Sequence, residues 1–152
     1  MNSADAVTPL QVGLLLHRAY AVATQDLNSA LRPMDLSARH VATMFLIRDG
    51  TRTHRDLVQQ LHTDKTGMVR VIDDLEELGF VSRTRSVEDR RVWLLSLTAA
   101  GTLGLQRAQE QTRGVAESLF GSLSRAELTA LHDSLAHVLR EVPDNQSGRR
   151  RD

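Results

Sequence analysis

Residues 64 to 98 read DKTGMVRVIDDLEELGFVSRTRSVEDRRVWLLSLT, and the periodicity changes once inside that stretch. From Asp64 onward, Met68, Val71, Ile72 and Leu75 recur at the spacing of one helical face, and Gly79 is placed to end the helix. From Phe80 the period is two. Val81, Arg83 and Arg85 alternate with Phe80, Ser82 and Thr84, which predicts a strand with basic residues on one face. Ser86 to Arg90 is a polar turn, and Val92 to Leu97 a second strand. Just upstream, Thr53 caps a short helix with Asp56 placed as in a capping box, and Leu57, Val58 and Leu61 form its apolar face. Only His62, Thr63 and Asp64 separate the two helices. Two short helices across a tight turn, followed by a hairpin, predict a winged helix-turn-helix.

Further out, both flanks are helical, so the expected fold class is mainly α with a small β-hairpin wing. Thr8-Pro9 is a helix start, and Val12, Leu16, Ala19, Ala23, Leu27 and Ala30 form one stripe that Pro33 stops. Ser37 caps a second helix carrying Val41, Met44 and Phe45, which ends at Asp49-Gly50. Downstream, Leu105, Ala108, Thr112, Val115 and Leu119 repeat in steps of three and four. Gly121 interrupts, Ser124 to Glu127 is a capping box, and Leu128, Leu131, Leu135, Val138 and Val142 repeat in the same way before Pro143. Such a repeat suits a helical partner interface, although packing onto its own subunit uses the same pattern. The expected organisation is a disordered N-terminus at 1–7, an N-terminal dimerisation helix at 8–35, a winged helix-turn-helix DNA-binding domain at 36–98, C-terminal dimerisation helices at 99–142 and a disordered tail at 143–152, where Arg149 to Arg151 stand in a row.

A chain of 152 residues with 41% hydrophobic and 25% charged side chains can bury a core without metal or disulfide. The absence of cysteine excludes thiolate metal sites, a cysteine nucleophile and thiol-based redox sensing. With aromatics at 3%, a base-stacking platform for single strands is not expected. The 19 basic and 19 acidic residues cancel, which rules out a uniformly basic coat but not a local patch. All basic residues but Lys65 are arginine, a side chain whose planar fork suits phosphates and base edges, although genome composition produces the same skew. No apolar run is long enough for a bilayer and no signal-peptide pattern opens the chain, so a cytoplasmic protein without membrane association is expected.

The matching text then accumulates: Leu-Ser-Ala-Arg-His from Leu36, Asp-Leu-Val-Gln-Gln-Leu from Asp56, the whole of 64 to 79, Phe-Val-Ser-Arg from Phe80, Asp-Arg-Arg-Val-Trp-Leu-Leu-Ser-Leu-Thr from Asp89, and Ala-Ala-Gly from Ala99. These residues resemble the winged helix-turn-helix of the MarR (multiple antibiotic resistance regulator) family of bacterial transcription factors. The Asp-x-Arg wing, followed by a strand closing in Leu-Thr, is the most specific part. The resemblance implies a two-fold symmetric homodimer of triangular outline on a pseudo-palindromic double-stranded operator, usually repressing a neighbouring gene. It also implies, for many relatives, release from DNA by a small aromatic or phenolic ligand.

The helix from Asp64 presents Lys65, Thr66, Gly67, Val69 and Arg70 outward. Its N-terminal N–H groups suit a phosphate, Thr66 a phosphate or base, Gly67 a close backbone approach, Val69 a thymine methyl and Arg70 a guanine edge. The resemblance makes Asp89 the carboxylate that holds Arg91 for minor-groove insertion, with Arg90 beside it. Arg52, His54, Arg83 and Arg85 are candidate phosphate contacts. Against these stand Asp73, Asp74, Glu76 and Glu77, which make the second half of the helix acidic; residues 52 to 91 hold eight basic and eight acidic side chains. Only the first turns of a recognition helix reach base edges, so the acidic half does not oppose the mode.

His17, His40 and Met44 lie where relatives line a ligand cleft, with packing histidines as the plainer reading. No histidine pair has the i, i+4 spacing of a helical zinc motif, so no metal or cofactor is expected. No nucleophile turn accompanies the serines and histidines, and no residues remain for a catalytic domain, so the chain is not expected to be an enzyme. The alternative is a winged-helix protein-interaction module without DNA binding, favoured by the acidic half-helix and the zero net charge.

Overall fold

Thr8 and Pro9 set where the first helix begins. The Thr8 hydroxyl accepts the Gln11 N–H at 3.3 Å, and the Gln11 side-chain oxygen takes the Thr8 N–H at 2.8 Å. Pro9 occupies the first turn, where a missing N–H costs nothing. Helix α1 runs Pro9–Leu31 and gives way to a single 3-10 turn, Arg32–Met34, at Pro33. The structure, a computed structural model, describes residues 6–141. Most of the N-terminal stretch expected to fray, the tail with Arg149 to Arg151, and the helix end at Val142 and Pro143 lie outside the described residues.

Helix α2 spans Ala38–Arg48, α3 His54–Gln60, and α4 Lys65–Glu77. Strands β1 (Val81–Arg85) and β2 (Trp93–Leu97) pair antiparallel, with Val81 opposite Leu97 and Arg85 opposite Trp93. The second strand starts one residue later than its sequence pattern suggests, because both backbone groups of Val92 close the hairpin tip. Helices α5 (Ala99–Phe120) and α6 (Arg125–Glu141) complete the chain. Among the described residues no helix is long and apolar enough to cross a membrane.

The core forms where α2, α4, the hairpin and the first half of α5 meet, around Met44, Leu57, Met68, Leu75, Val81, Leu95 and Leu105. The four apolar residues read as the inner face of α4 (Met68, Val71, Ile72 and Leu75) are all buried in it. Gly79, at φ 72, ends α4 in the left-handed conformation, so that Phe80 N–H reaches the Leu75 carbonyl at 2.9 Å and Gly79 N–H that of Glu76 at 2.9 Å. This cap turns the chain directly into β1.

The outer helices are different. The first half of α1 is exposed along its length, and α6 buries no residue at all against its own chain. Along the apolar stripe of α6, Leu135 is half-buried within the chain, whereas Leu128, Leu131 and Val138 are exposed.

Candidate nucleic-acid interface

The turn between α3 and α4 is built from backbone bonds. His62 adopts φ 46, and this left-handed residue lets Thr63 N–H reach the Val58 carbonyl at 3.2 Å. Asp64 then caps α4, accepting the Gly67 N–H at 2.7 Å. Bonds from the backbone N–H groups, Gly67 first, hold the Asp64 carboxyl below the usual aspartate range, with Arg39 adding a smaller electrostatic contribution.

This geometry departs from two expectations drawn from the sequence. The Gly67 N–H is occupied by the chain's own carboxylate and is not free for a phosphate. A side chain at Gly67 would come 2.9 Å from the Asp64 carboxylate and 3.3 Å from the Arg39 guanidinium, so the glycine makes room for those groups. His54 likewise bridges to α4, its Nε2 lying 3.2 Å from the Lys65 carbonyl, and braces the start of the helix.

Because Asp64 is an exposed cap with a lowered pKa, its contribution has a defined pH window. It is complete above the ordinary aspartate pKa and is lost as pH falls through the lowered folded-state value. Asp64→Asn keeps an acceptor that does not titrate. The difference in Tm between the two proteins is expected to narrow as pH falls through the carboxylate range. A constant difference across that range would remove Asp64 ionisation as the cause.

Lys65, Thr66, Val69 and Arg70 stand exposed on one side of the first two turns of α4, while Gly67 is half-buried. In the wing, Asp89 Oδ1 accepts the backbone N–H of Arg91 at 2.9 Å. The carboxylate thus shapes the turn, and no ion pair joins it to the Arg91 guanidinium, which projects free.

The charges between 52 and 91 are sorted by these contacts. The Asp56 carboxylate accepts the Thr53 hydroxyl at 2.6 Å, Asp64 caps α4, Asp89 holds the wing turn, Asp73 and Glu76 both bind Arg83, and Asp74 lies 3.2 Å from His40 Nε2. Arg83, a candidate phosphate contact, is instead clamped to the acidic half of α4, with its Nε 3.2 Å from Glu76. Arg85 lies over the Trp93 ring. Among the described residues Arg52, Arg55, Lys65, Arg70, Arg90 and Arg91 have no ion-pair partner. Six of the eight carboxylates, all but Glu77 and Glu88, are thus engaged within the chain, while cations remain available on α3, α4 and the wing.

A profile of the MarR family matches residues 34–92, from the 3-10 turn through the hairpin tip. The HTH-type transcriptional regulator PrsX of Escherichia coli is 31% identical over 87 residues, 57% of this chain and 52% of PrsX. The chain thus spans about half the length of that relative. Wild-type MarR from E. coli, in its apo crystal structure, superposes with a TM-score of 0.72 at 26% identity, over 89% of this chain and 99% of that one. Over residues 34–92 the chain is similar to the MarR family, and the fold likeness extends to nearly the whole of E. coli MarR. A mutant MarR from E. coli, complexed with operator DNA, matches with a TM-score of 0.71 at 26% identity, over 84% of this chain and 93% of that one.

The MarR-family resemblance also suggested a ligand cleft at His17, His40 and Met44; His40 and Met44 lie one turn apart on α2 and His17 on α1. His17 is exposed on α1, whereas Met44 is 0% exposed in the core. His40 is engaged on both sides: Nδ1 accepts the Ser37 N–H at 3.0 Å, and Nε2 faces Asp74. A backbone N–H can only donate, so Nδ1 must be the acceptor and Nε2 carries the proton toward the carboxylate. Arg55 escaped the sequence reading; its position just after the Thr53 cap was the available signal. The Arg85–Trp93 stack escaped it too, because strand register is needed to see it.

Proposed function

We propose that this protein is a MarR-family regulator: a dimeric, sequence-specific DNA-binding transcription factor. In this reading α4 enters the major groove and the wing arginine the minor groove. The observation that carries it is the sorting of charge, which leaves cations free on α3, the first turns of α4 and the wing despite a net charge of zero. The similarity to a MarR complexed with operator DNA supports it. Dimerisation is supported by α6, whose Leu128, Leu131, Val138 and Leu139 are exposed, an apolar face that burial against a second copy would stabilise. Action as a repressor of a neighbouring gene, released by a small aromatic or phenolic ligand, is the family-derived part of the proposal. Any such ligand would bind near His17, His40 and Met44, as the family resemblance implies. A cytoplasmic location follows from the same reading.

The test is binding to the DNA immediately upstream of the protein's own gene, at two salt concentrations. With about six phosphate contacts, affinity should fall about 10³-fold between roughly 50 and 200 mM salt. Arg70→Ala should relax preference at one position of each half-site and cost about 1–3 kcal/mol per base contact. Arg91→Ala should weaken binding most at A·T-flanked sites, where a narrow minor groove concentrates negative potential. Undiminished affinity in both variants would overturn the assignment of α4 and the wing. Absence of binding to any upstream fragment at low salt would favour a protein-docking module.

A further inference from the structure

The hairpin tip is held by a contact that the Asp-x-Arg motif does not require. Arg85 sits directly across the strand pair from Trp93, with its guanidinium carbon 4.1 Å from the ring centroid. The same guanidinium donates through an NH1 hydrogen to the carbonyl of Arg90. That carbonyl belongs to the peptide unit leading into Arg91, the residue assigned to the minor groove. The rest of the tip is closed locally. Ser86 N–H bonds the Val92 carbonyl at 2.9 Å, Val92 N–H the Asp89 carbonyl at 2.9 Å, and the Ser86 hydroxyl accepts the N–H groups of Glu88 and Asp89 at 3.2 and 3.3 Å. Among these bonds, only that of Arg85 ties a side chain of β1 to the descending limb that carries Arg90 and Arg91.

Trp93 explains why the contact holds. Its ring is 45% exposed, and the Arg85 guanidinium carbon lies over its face. Arginine suits both halves of the arrangement, since a planar fork can stack and still donate edge-on, whereas an ammonium is a point charge. We propose that Arg85 and Trp93 are positioning residues: a brace that sets where the wing presents Arg90 and Arg91, with Arg85 holding the wing and not a phosphate. This rests on the DNA-binding reading above.

The test compares Arg85→Lys, Arg85→Ala and Trp93→Ala with wild type in two measurements. The first, amide hydrogen exchange at the tip, needs no DNA. The second is affinity for two duplexes that differ only in A·T or G·C flanks, at two salt concentrations. A brace predicts that all three variants speed exchange at Arg91 and Val92 by about two- to fivefold. It also predicts that all three lose A·T discrimination, and that adding Arg91→Ala to any of them changes little further. Arg85→Lys separates the alternatives because it keeps the charge and loses the fork. Wild-type exchange and affinity in Arg85→Lys, with a salt slope reduced by about one only in Arg85→Ala, would make Arg85 a phosphate contact and overturn the brace. Unchanged exchange in all three variants would overturn it equally. If wild type binds neither duplex, the DNA-binding reading fails, and the exchange data still decide the brace.

Discussion

Leu131→Glu is expected to turn the protein into a monomer and to weaken operator binding by about 10²–10⁴-fold, the advantage that linking two half-site contacts confers. In the protomer α6 carries Leu128, Leu131, Val138 and Leu139 exposed, the last at 63%, and α1 carries Leu10, Leu14 and Leu15 exposed as well. Each such side chain stabilises by about 1.5–3 kcal/mol when removed from water, so leaving all of them wet is a large unrealised gain. A glutamate at the centre of the stripe would be buried without a partner in the assembled interface. Within one chain it faces solvent and is a good helix former, so the helix itself should persist. Sedimentation velocity gives the mass, and circular dichroism confirms retained helix. A Leu131→Glu protein that remains a dimer with undiminished operator affinity would remove α6 from the interface.

Gly101→Ala is expected to destabilise the protein by about 3 kcal/mol, although it places the best helix former in a helix. Gly101 lies in the first turn of α5, its N–H taken by the Thr98 hydroxyl at 2.9 Å. A Cβ there would overlap the carbonyl of Phe80. That carbonyl is fixed from the other side by the Thr98 N–H at 3.0 Å, and the Phe80 N–H is bonded to Leu75 at 2.9 Å. Neither backbone can yield without opening the junction of α4, the hairpin and α5. Gly104→Ala should cost less, because its Cβ would meet only the far edge of the Phe80 ring, 2.9 Å away. Thermal unfolding should show Tm losses of about 6–12 °C for Gly101→Ala and a smaller loss for Gly104→Ala. Equal losses, or a gain at Gly101, would refute the close approach as the reason for the glycine.

The helices and hairpin were legible because their signals are local. Thr8-Pro9, Ser37, Thr53, Ser124 and Gly79 each act within a few residues, and the structure uses each of them at the predicted end. The outward set on α4 was legible for the same reason, since Met68, Val71, Ile72 and Leu75 determine which residues remain outside. The acidic half of α4 was legible as composition only. Its partners, Arg83 ten residues on and His40 thirty-four residues back, come from other elements. Gly67 was legible in part for a related reason: spacing places a glycine in the outward-facing first turns of α4 but does not show that Asp64 and Arg39 lie beside it.

The sequence by itself determined the order of elements, the winged helix-turn-helix and the face that α4 turns outward, because periodicity and caps depend on neighbours along the chain. Only the tertiary structure decided which charges are free. Arg83, Arg85, His54 and His40 all read as available side chains in one dimension, and each is engaged once the strands pair and α4 packs against α2 and β1. It also decided that most of the apolar stripe of α6 stays exposed in the single chain. The physical reason is range: a helix needs only its own hydrogen bonds and spacing, whereas a side chain's availability depends on whatever the fold brings within a few ångströms of it.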